Sequence, residues 1–206
     1  MPDFQEIYQN DAERYDLLVA REDYRGNLLA AIQNIRALEG LDVVEFGAGT
    51  GRLTSLLAPR VRTIRAFDES QHMLDTAFRK LKATGAKNWH LGVADNRSVP
   101  AESESADLVI EGWSFGHFCG WYPDTWQQEV GKALKEMHRI LRPGGTAILI
   151  ETMGTGRSQP QPPNERLSAL YRWLADEHRM MYQWIRTDYE FHSLEEAVTL
   201  TLLLRR

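Results

Sequence analysis

Three glycines at alternate positions, Gly47, Gly49 and Gly51, divide the short apolar run Leu41-Asp42-Val43-Val44-Glu45-Phe46 from the helical-looking stretch Arg52-Leu53-Thr54-Ser55-Leu56-Leu57. β-Branched residues that stop at a glycine cluster read as a strand, and Pro59 ends the stretch that follows. Strand, glycine turn and helix in this order let the backbone approach a ligand closely at a helix N-terminus. The dinucleotide fingerprint G-x-G-x-x-G needs glycine at position 52, where Arg52 stands, so the G-x-G-x-G spacing argues against a nicotinamide dinucleotide.

The alternation extends along the chain. Leu28, Leu29, Ile32, Ile35 and Leu38 predict a helix face ended by Gly40. Residues 61–67 predict a second strand, 70–83 a helix with Met73, Leu74, Ala77, Phe78 and Leu81 inward, and Gly85 its stop. Residues 88–94 and 106–112 predict two more strands. Asp124 with Gln127 reads as a capping pair for a helix whose inner face is Trp126, Val130, Leu134, Met137 and Leu141. Arg142-Pro143-Gly144-Gly145 then turns into a fifth strand over 146–151. After the proline-rich loop 158–164, a helix runs through Leu167, Leu170, Tyr171 and Leu174, and 181–191 looks strand-like.

Strands alternating with helices imply an α/β fold, a doubly wound and mostly parallel sheet covered on both faces, because parallel neighbours require helix-length crossovers. Ligands in such sheets bind at the carboxyl ends of the strands. One domain is expected over 1–206, with a helical lid over 1–40, a cofactor-binding core over 41–151 and a substrate-side and sheet-edge segment over 152–206.

With 206 residues, 43% of them hydrophobic, the chain can bury a core without a disulfide or a structural metal. The lone Cys119 fits a reducing compartment. Twenty-four basic against 29 acidic residues leave a net charge of −5, which disfavours nucleic acid. The stretch free of Asp, Glu, Lys and Arg from Gly112 to Pro123 is too short to span a bilayer, so a cytoplasmic protein without a membrane anchor is expected. The six histidines show no metal-ligand spacing with one another or with Cys119.

Glu45-x-Gly47-x-Gly49-x-Gly51 resembles the first motif of the class I S-adenosylmethionine-dependent methyltransferases. Four further landmarks follow in register: Asp68 ending the second strand, Ala94-Asp95-Asn96 after the third, Asp107 to Trp113 as the fourth, and Leu141 to Gly145 as the turn into the fifth. The resemblance implies S-adenosylmethionine as cofactor. It places Asp68 on the ribose hydroxyls, as a carboxylate acceptor suits two hydroxyl donors. It places Asp95 on the adenine amino group and offers Glu45 a route to the methionine amino group. Ala48, Glu69, Met73, Asn96, Glu111 and Gly112 join these as expected cofactor contacts, and Tyr15 joins from a lid over Tyr8 to Tyr24.

Methyl transfer from a sulfonium needs alignment more than acid–base machinery, although a hydroxyl or protonated amine acceptor also needs a base. The segment after the fourth strand is rich in aromatic residues, with Trp113 expected beside the cofactor, Trp121 on the acceptor, and His117 facing the acceptor as candidate base. The expected reaction is methylation of an oxygen or nitrogen of a small molecule. A nonenzymatic S-adenosylmethionine-binding sensor or partner subunit is the alternative; a short-chain dehydrogenase would need Tyr-x-x-x-Lys, which no tyrosine satisfies. The family's sheet ends in an antiparallel hairpin. Here the seventh strand has no counterpart unless 199–204 supplies it, so an open C-terminal edge and a homodimer through it are expected.

Overall fold

A computed structural model describes residues 11–202. Five strands, β1 (Asp42–Phe46), β2 (Thr63–Asp68), β3 (Trp89–Val93), β4 (Ala106–Gly112) and β5 (Leu141–Ile150), pair in the order β3-β2-β1-β4-β5. Every pair is parallel. Around the sheet lie α1 (Ala12–Val19), α2 (Asn27–Ile35), α3 (Arg52–Leu57), α4 (Gln71–Thr84), α5 (Phe115–Trp121), α6 (Trp126–Ile140), α7 (Glu165–Asp176) and α8 (Leu194–Thr201).

Successive residues of a strand point to opposite faces, and both faces here are apolar. Val43, Ile64, Leu108, Ile110 and Ile148 pack against Leu28 and Ile32 of α2 and Leu53 and Leu57 of α3. Val44, Phe46 and Val109 pack on the other side against Phe115 and Phe118 of α5, Met137 and Ile140 of α6, and Leu170 of α7. The chain runs outward from β1 to β3 and then returns to place β4 on the other side of β1. The strand order therefore reverses between β1 and β4, where their carboxyl ends leave a crevice.

Local signals set most of the boundaries. Ser70 caps α4 by accepting from the Met73 N–H, and Gly85, at φ +74°, stops it. Several expectations fail where packing overrides the pattern. Helix α2 ends at Ile35, which is 49% exposed, and Leu38 is buried from the following turn rather than from the helix. Asp124 and Gln127 make no capping pair, since Thr125 occupies the N-cap of α6 and makes no side-chain bond there. Leu141 already belongs to β5, paired with Ala106.

The largest correction concerns the C-terminal segment. Residues 181–191 form no strand, and no antiparallel strand exists among the described residues; the segment makes only an antiparallel bridge between Tyr189 and Glu22. A ladder needs a neighbouring strand along its length, and this segment instead meets the loop after α1. There Asp23 N–H donates to Asp188 O (3.0 Å) and Glu190 N–H to Arg21 O (2.9 Å). Residues 199–201 continue α8 as helix, and 203–204 lie outside the described residues. Tyr8, at the start of the expected lid, also lies outside them. The rest of the lid is α1, tied to α4 by Asp16 with Lys80 (2.5 Å) and Glu13 with Arg79 (2.7 Å).

Candidate functional site

Two adjoining cavities open at the reversal of strand order. The larger spans about 630 Å³ with its opening to solvent included and is lined by Tyr15, Gly47, Gly49, Asp68, Glu69, Met73, Ala94, Asp95, Asn96, Gly112, Trp113, Ser114, His117, Phe118 and Trp121. The smaller, about 350 Å³, shares Tyr15, Gly47, Gly49, Gly112 and Trp113 with it and adds Val19, Glu45, Ala48, Thr50, Arg52 and Leu53.

The glycine turn shapes the floor. Gly47 sits at φ +67°, and a Cβ there would lie 2.4 Å from Ser114 Cβ, so only glycine lets β1 and the end of β4 come this close. Gly51, at φ +76°, allows α3 to start against Ala77 of α4, which a Cβ would meet at 3.0 Å. Trp113 also takes a left-handed backbone, φ +58°, unusual for a bulky residue. The Arg52 guanidinium lies over its indole, 4.3 Å from the ring centre.

Four acids face the cavities in different ways. Asp68 accepts from Gly49 N–H and Ser70 N–H, both 2.8 Å, one on each carboxylate oxygen. Each oxygen keeps a further lone pair, so the group can hold the turn and still accept from a ligand. Burial pushes its pKa up, against the pull of these two N–H groups. Asp95 is clasped by the Arg97 guanidinium and backbone N–H, and that partner lowers its pKa. Glu45 is 1% exposed and accepts from the Thr54 hydroxyl at 2.6 Å; burial raises its pKa to about 8. Glu69 beside them is raised by burial and by the charges of Asp68 and Asp95.

On the other wall, His117 stacks on Trp121 with ring centres 5.1 Å apart and planes 15° from parallel. Burial lowers its pKa to about 4, so the imidazole is neutral at neutral pH. Asn96 donates to Ser114 Oγ at 3.2 Å, and Ser114 in turn donates to Glu111.

The structure thus gathers Tyr15, Gly47, Gly49, Asp68, Glu69, Met73, Asp95, Asn96, Gly112, Trp113, His117 and Trp121 around one cavity and Glu45 and Ala48 around its neighbour. Glu111 lines neither. It is fully buried, with one oxygen accepting from Ser114 and Phe115, because its side chain turns onto the start of α5. Sequence reasoning also missed Thr50 and Arg52. Their signal was present in the glycine motif itself, where Arg52 served only to exclude the dinucleotide spacing.

A binding fit for an adenosyl amino-acid cofactor is supported by atoms that the fold leaves unsatisfied. Thr50 Oγ1 and Arg52 Nη2, both lining the smaller cavity's walls as residues, are buried without a hydrogen-bond partner among the described residues. Gly49 brings bare backbone to the cavity wall, where a Cβ would meet Met73 Cε at 3.5 Å.

Comparison with known proteins gives three findings. A family model described as a methyltransferase domain matches residues 43–145, half of the chain. The protein YafE of Escherichia coli is 34% identical over 110 residues, 53% of this chain and 49% of that one. A demethylmenaquinone methyltransferase of Staphylococcus aureus is 28% identical over 172 residues, 80% of this chain and 65% of that one. The chain therefore spans about half to two thirds of the length of these relatives. Among solved structures, an S-adenosylmethionine-dependent methyltransferase from Aquifex aeolicus superposes with a TM-score of 0.58 at 19% identity, covering 85% of this chain and 82% of that one. That likeness is one of fold.

Proposed function

Given that the chain belongs to the methyltransferase-domain family, we propose that it transfers the methyl group of S-adenosylmethionine to an oxygen or nitrogen of a small molecule. The observation that carries this reading is the larger of the two cavities at the reversal of strand order. There the glycine turn and Asp68 stand on one side, and Trp113, His117 and Trp121 on the other.

When bound, S-adenosylmethionine supplies an activated methyl carbon, so the chain has to align the acceptor and exclude water. Asp68 would hold the ribose hydroxyls with its remaining lone pairs, and Glu45 the amino group. In the displacement the acceptor's lone pair forms the new bond to the methyl carbon and the sulfur keeps the electrons of the bond that breaks. A hydroxyl or ammonium acceptor also sheds a proton. His117 is neutral and can accept a hydrogen bond from such a group, while its low basicity suits it to orienting the acceptor more than to removing a proton in advance.

Calorimetric titration with S-adenosylmethionine and S-adenosylhomocysteine, with NAD as control, tests the reading. Micromolar binding of the first two and none of NAD is the expected result, followed by methyl transfer to a panel of phenols, carboxylates and amines. A folded protein that binds neither adenosyl compound overturns it. The open sheet edge at β5 and the exposed Met181, Tyr182 and Trp184 also support assembly as a homodimer. Light scattering at micromolar protein should give twice the monomer mass, and a monomer mass sinks that part.

A further inference from the structure

We infer that residues 186–201 are a strap that latches the lid helix α1 over the two cavities, so that lid and strap open together when a ligand enters or leaves. The inference rests on the proposed cofactor reading only for which ligand passes the lid.

Helix α1 carries Tyr15, which lines both cavities. On one side the helix is held to α4 by Asp16 with Lys80 and Glu13 with Arg79. On the other side it is held by the strap. Arg14 donates to Thr199 O of α8, and just past the end of α1 the Arg21 guanidinium donates to Glu196 Oε1 through Nε at 3.0 Å and Nη2 at 2.7 Å. The loop that follows pairs with residues 188–190 across the Glu22–Tyr189 bridge, and the Asn27 side chain donates to Arg186 O at 2.9 Å. Glu22 adds a side-chain tie, since its Oε1 accepts from the Thr187 hydroxyl at 2.9 Å. Chain segments 159 to 185 residues apart are joined in this way.

The latch is polar, and that makes it weak. Leu200 of the strap is buried, but Leu194 is 81% exposed and Val198 51%. The side chains of Arg21 and Glu196 are about a quarter exposed, so their ion pair contributes little and salt screens it. A segment fastened by a few hydrogen bonds and ion pairs rather than by apolar burial opens far below the cost of global unfolding. Lids that gate a cleft are drawn from such elements. Because the same contacts fix the lid and the strap, releasing one releases the other on that side.

Hydrogen–deuterium exchange of the full chain tests this. Glu196→Gln removes the charge that faces Arg21, and Thr187→Val removes a hydroxyl from Glu22; neither residue lines a cavity. Without ligand, each should speed exchange across residues 12–24 and 186–201 together by about two- to fivefold, with β1 and β4 unchanged. Added salt should loosen the same two segments in the wild type and have less effect in Glu196→Gln. Saturating S-adenosylhomocysteine should slow both segments together. Faster exchange in 186–201 alone, with 12–24 kept at its wild-type rate by α4, overturns the strap, and so does slowing by S-adenosylhomocysteine in only one of the two. If the variants loosen both segments and S-adenosylhomocysteine slows exchange nowhere in the chain, the latch stands and the cofactor reading falls.

Discussion

Glu111, buried, and Glu151, half-buried, bring two carboxyl groups to consecutive backbone N–H groups at the start of one helix. Glu111 accepts from Ser114 (2.5 Å) and Phe115 (3.0 Å), and Glu151 accepts from Gly116 (2.7 Å). The second oxygen of Glu111 is buried without a partner among the described residues. Burial raises both groups, Glu111 to about 7, and the charge of Glu111 raises Glu151 further. The helix they hold carries His117 and Trp121, so this pair sets the position of that wall of the cavity.

A pH dependence of stability follows. Glu111 and Glu45, at about 7 and 8, bind protons in the folded state that the unfolded chain, near 4.5, has already released. Their contribution is full below pH 4.5 and is lost as pH rises through the folded values, by up to about 1.4 kcal/mol per pH unit for each group. His117, lowered from 6.5 to about 4, acts in the opposite sense but only below 6.5. Between pH 6.5 and 8 the melting temperature should therefore fall, and Glu111→Gln should flatten the slope. A melting temperature that rises across this window contradicts the assignment of these carboxyls.

Asp68→Ala should weaken S-adenosylhomocysteine by about 1.5–3 kcal/mol, the range for hydrogen bonds to a charged acceptor. It should also lower thermal stability, since Gly49 and Ser70 lose their acceptor. An unchanged dissociation constant by calorimetry removes Asp68 from the binding role and leaves it as a clasp for the turn.

His117 gives a prediction that separates it from a solvated histidine. With the imidazole neutral down to about pH 4, the pH profile of kcat/KM should show no inflection near 6.5 that is lost in His117→Asn. Such an inflection would mean that the ring is hydrated and basic in solution.

Gly47→Ala should lower the melting temperature by several degrees, because the new Cβ meets Ser114 Cβ at 2.4 Å and the residue must keep φ +67°. The steric share is on the order of 1–3 kcal/mol and the backbone share about 1–2 kcal/mol. Adding Ser114→Gly should recover the steric share only. Full recovery in the double variant would show that the left-handed backbone costs nothing there.

The legible parts of this protein were those encoded within one turn or one strand. Val43, Val44 and Phe46 announce a strand buried on both faces, Gly85 a helix stop, and Gly47 to Gly51 a turn that only glycine can make. The acids Asp68 and Asp95 were legible because their distance from that turn is set by one strand–helix unit each. The C-terminal segment was misread because Tyr182, Trp184 and Ile185 have the composition of a strand, while a strand exists only if another lies beside it. Glu111 was misread because the direction of its side chain depends on where α5 begins, three residues on.

The sequence by itself determined a parallel α/β sheet with a glycine turn at its crevice, since hydrophobic period and the conformational freedom of glycine are properties of short segments. The tertiary structure alone decided what Arg52 does. Its partners are Glu22, 30 residues before it, and Trp113 at the end of β4, and Glu22 answers in turn to Thr155 and Thr187, 133 and 165 residues away. Whether a guanidinium is solvated, paired or left with one donor facing inward is settled only when those distant segments close around it.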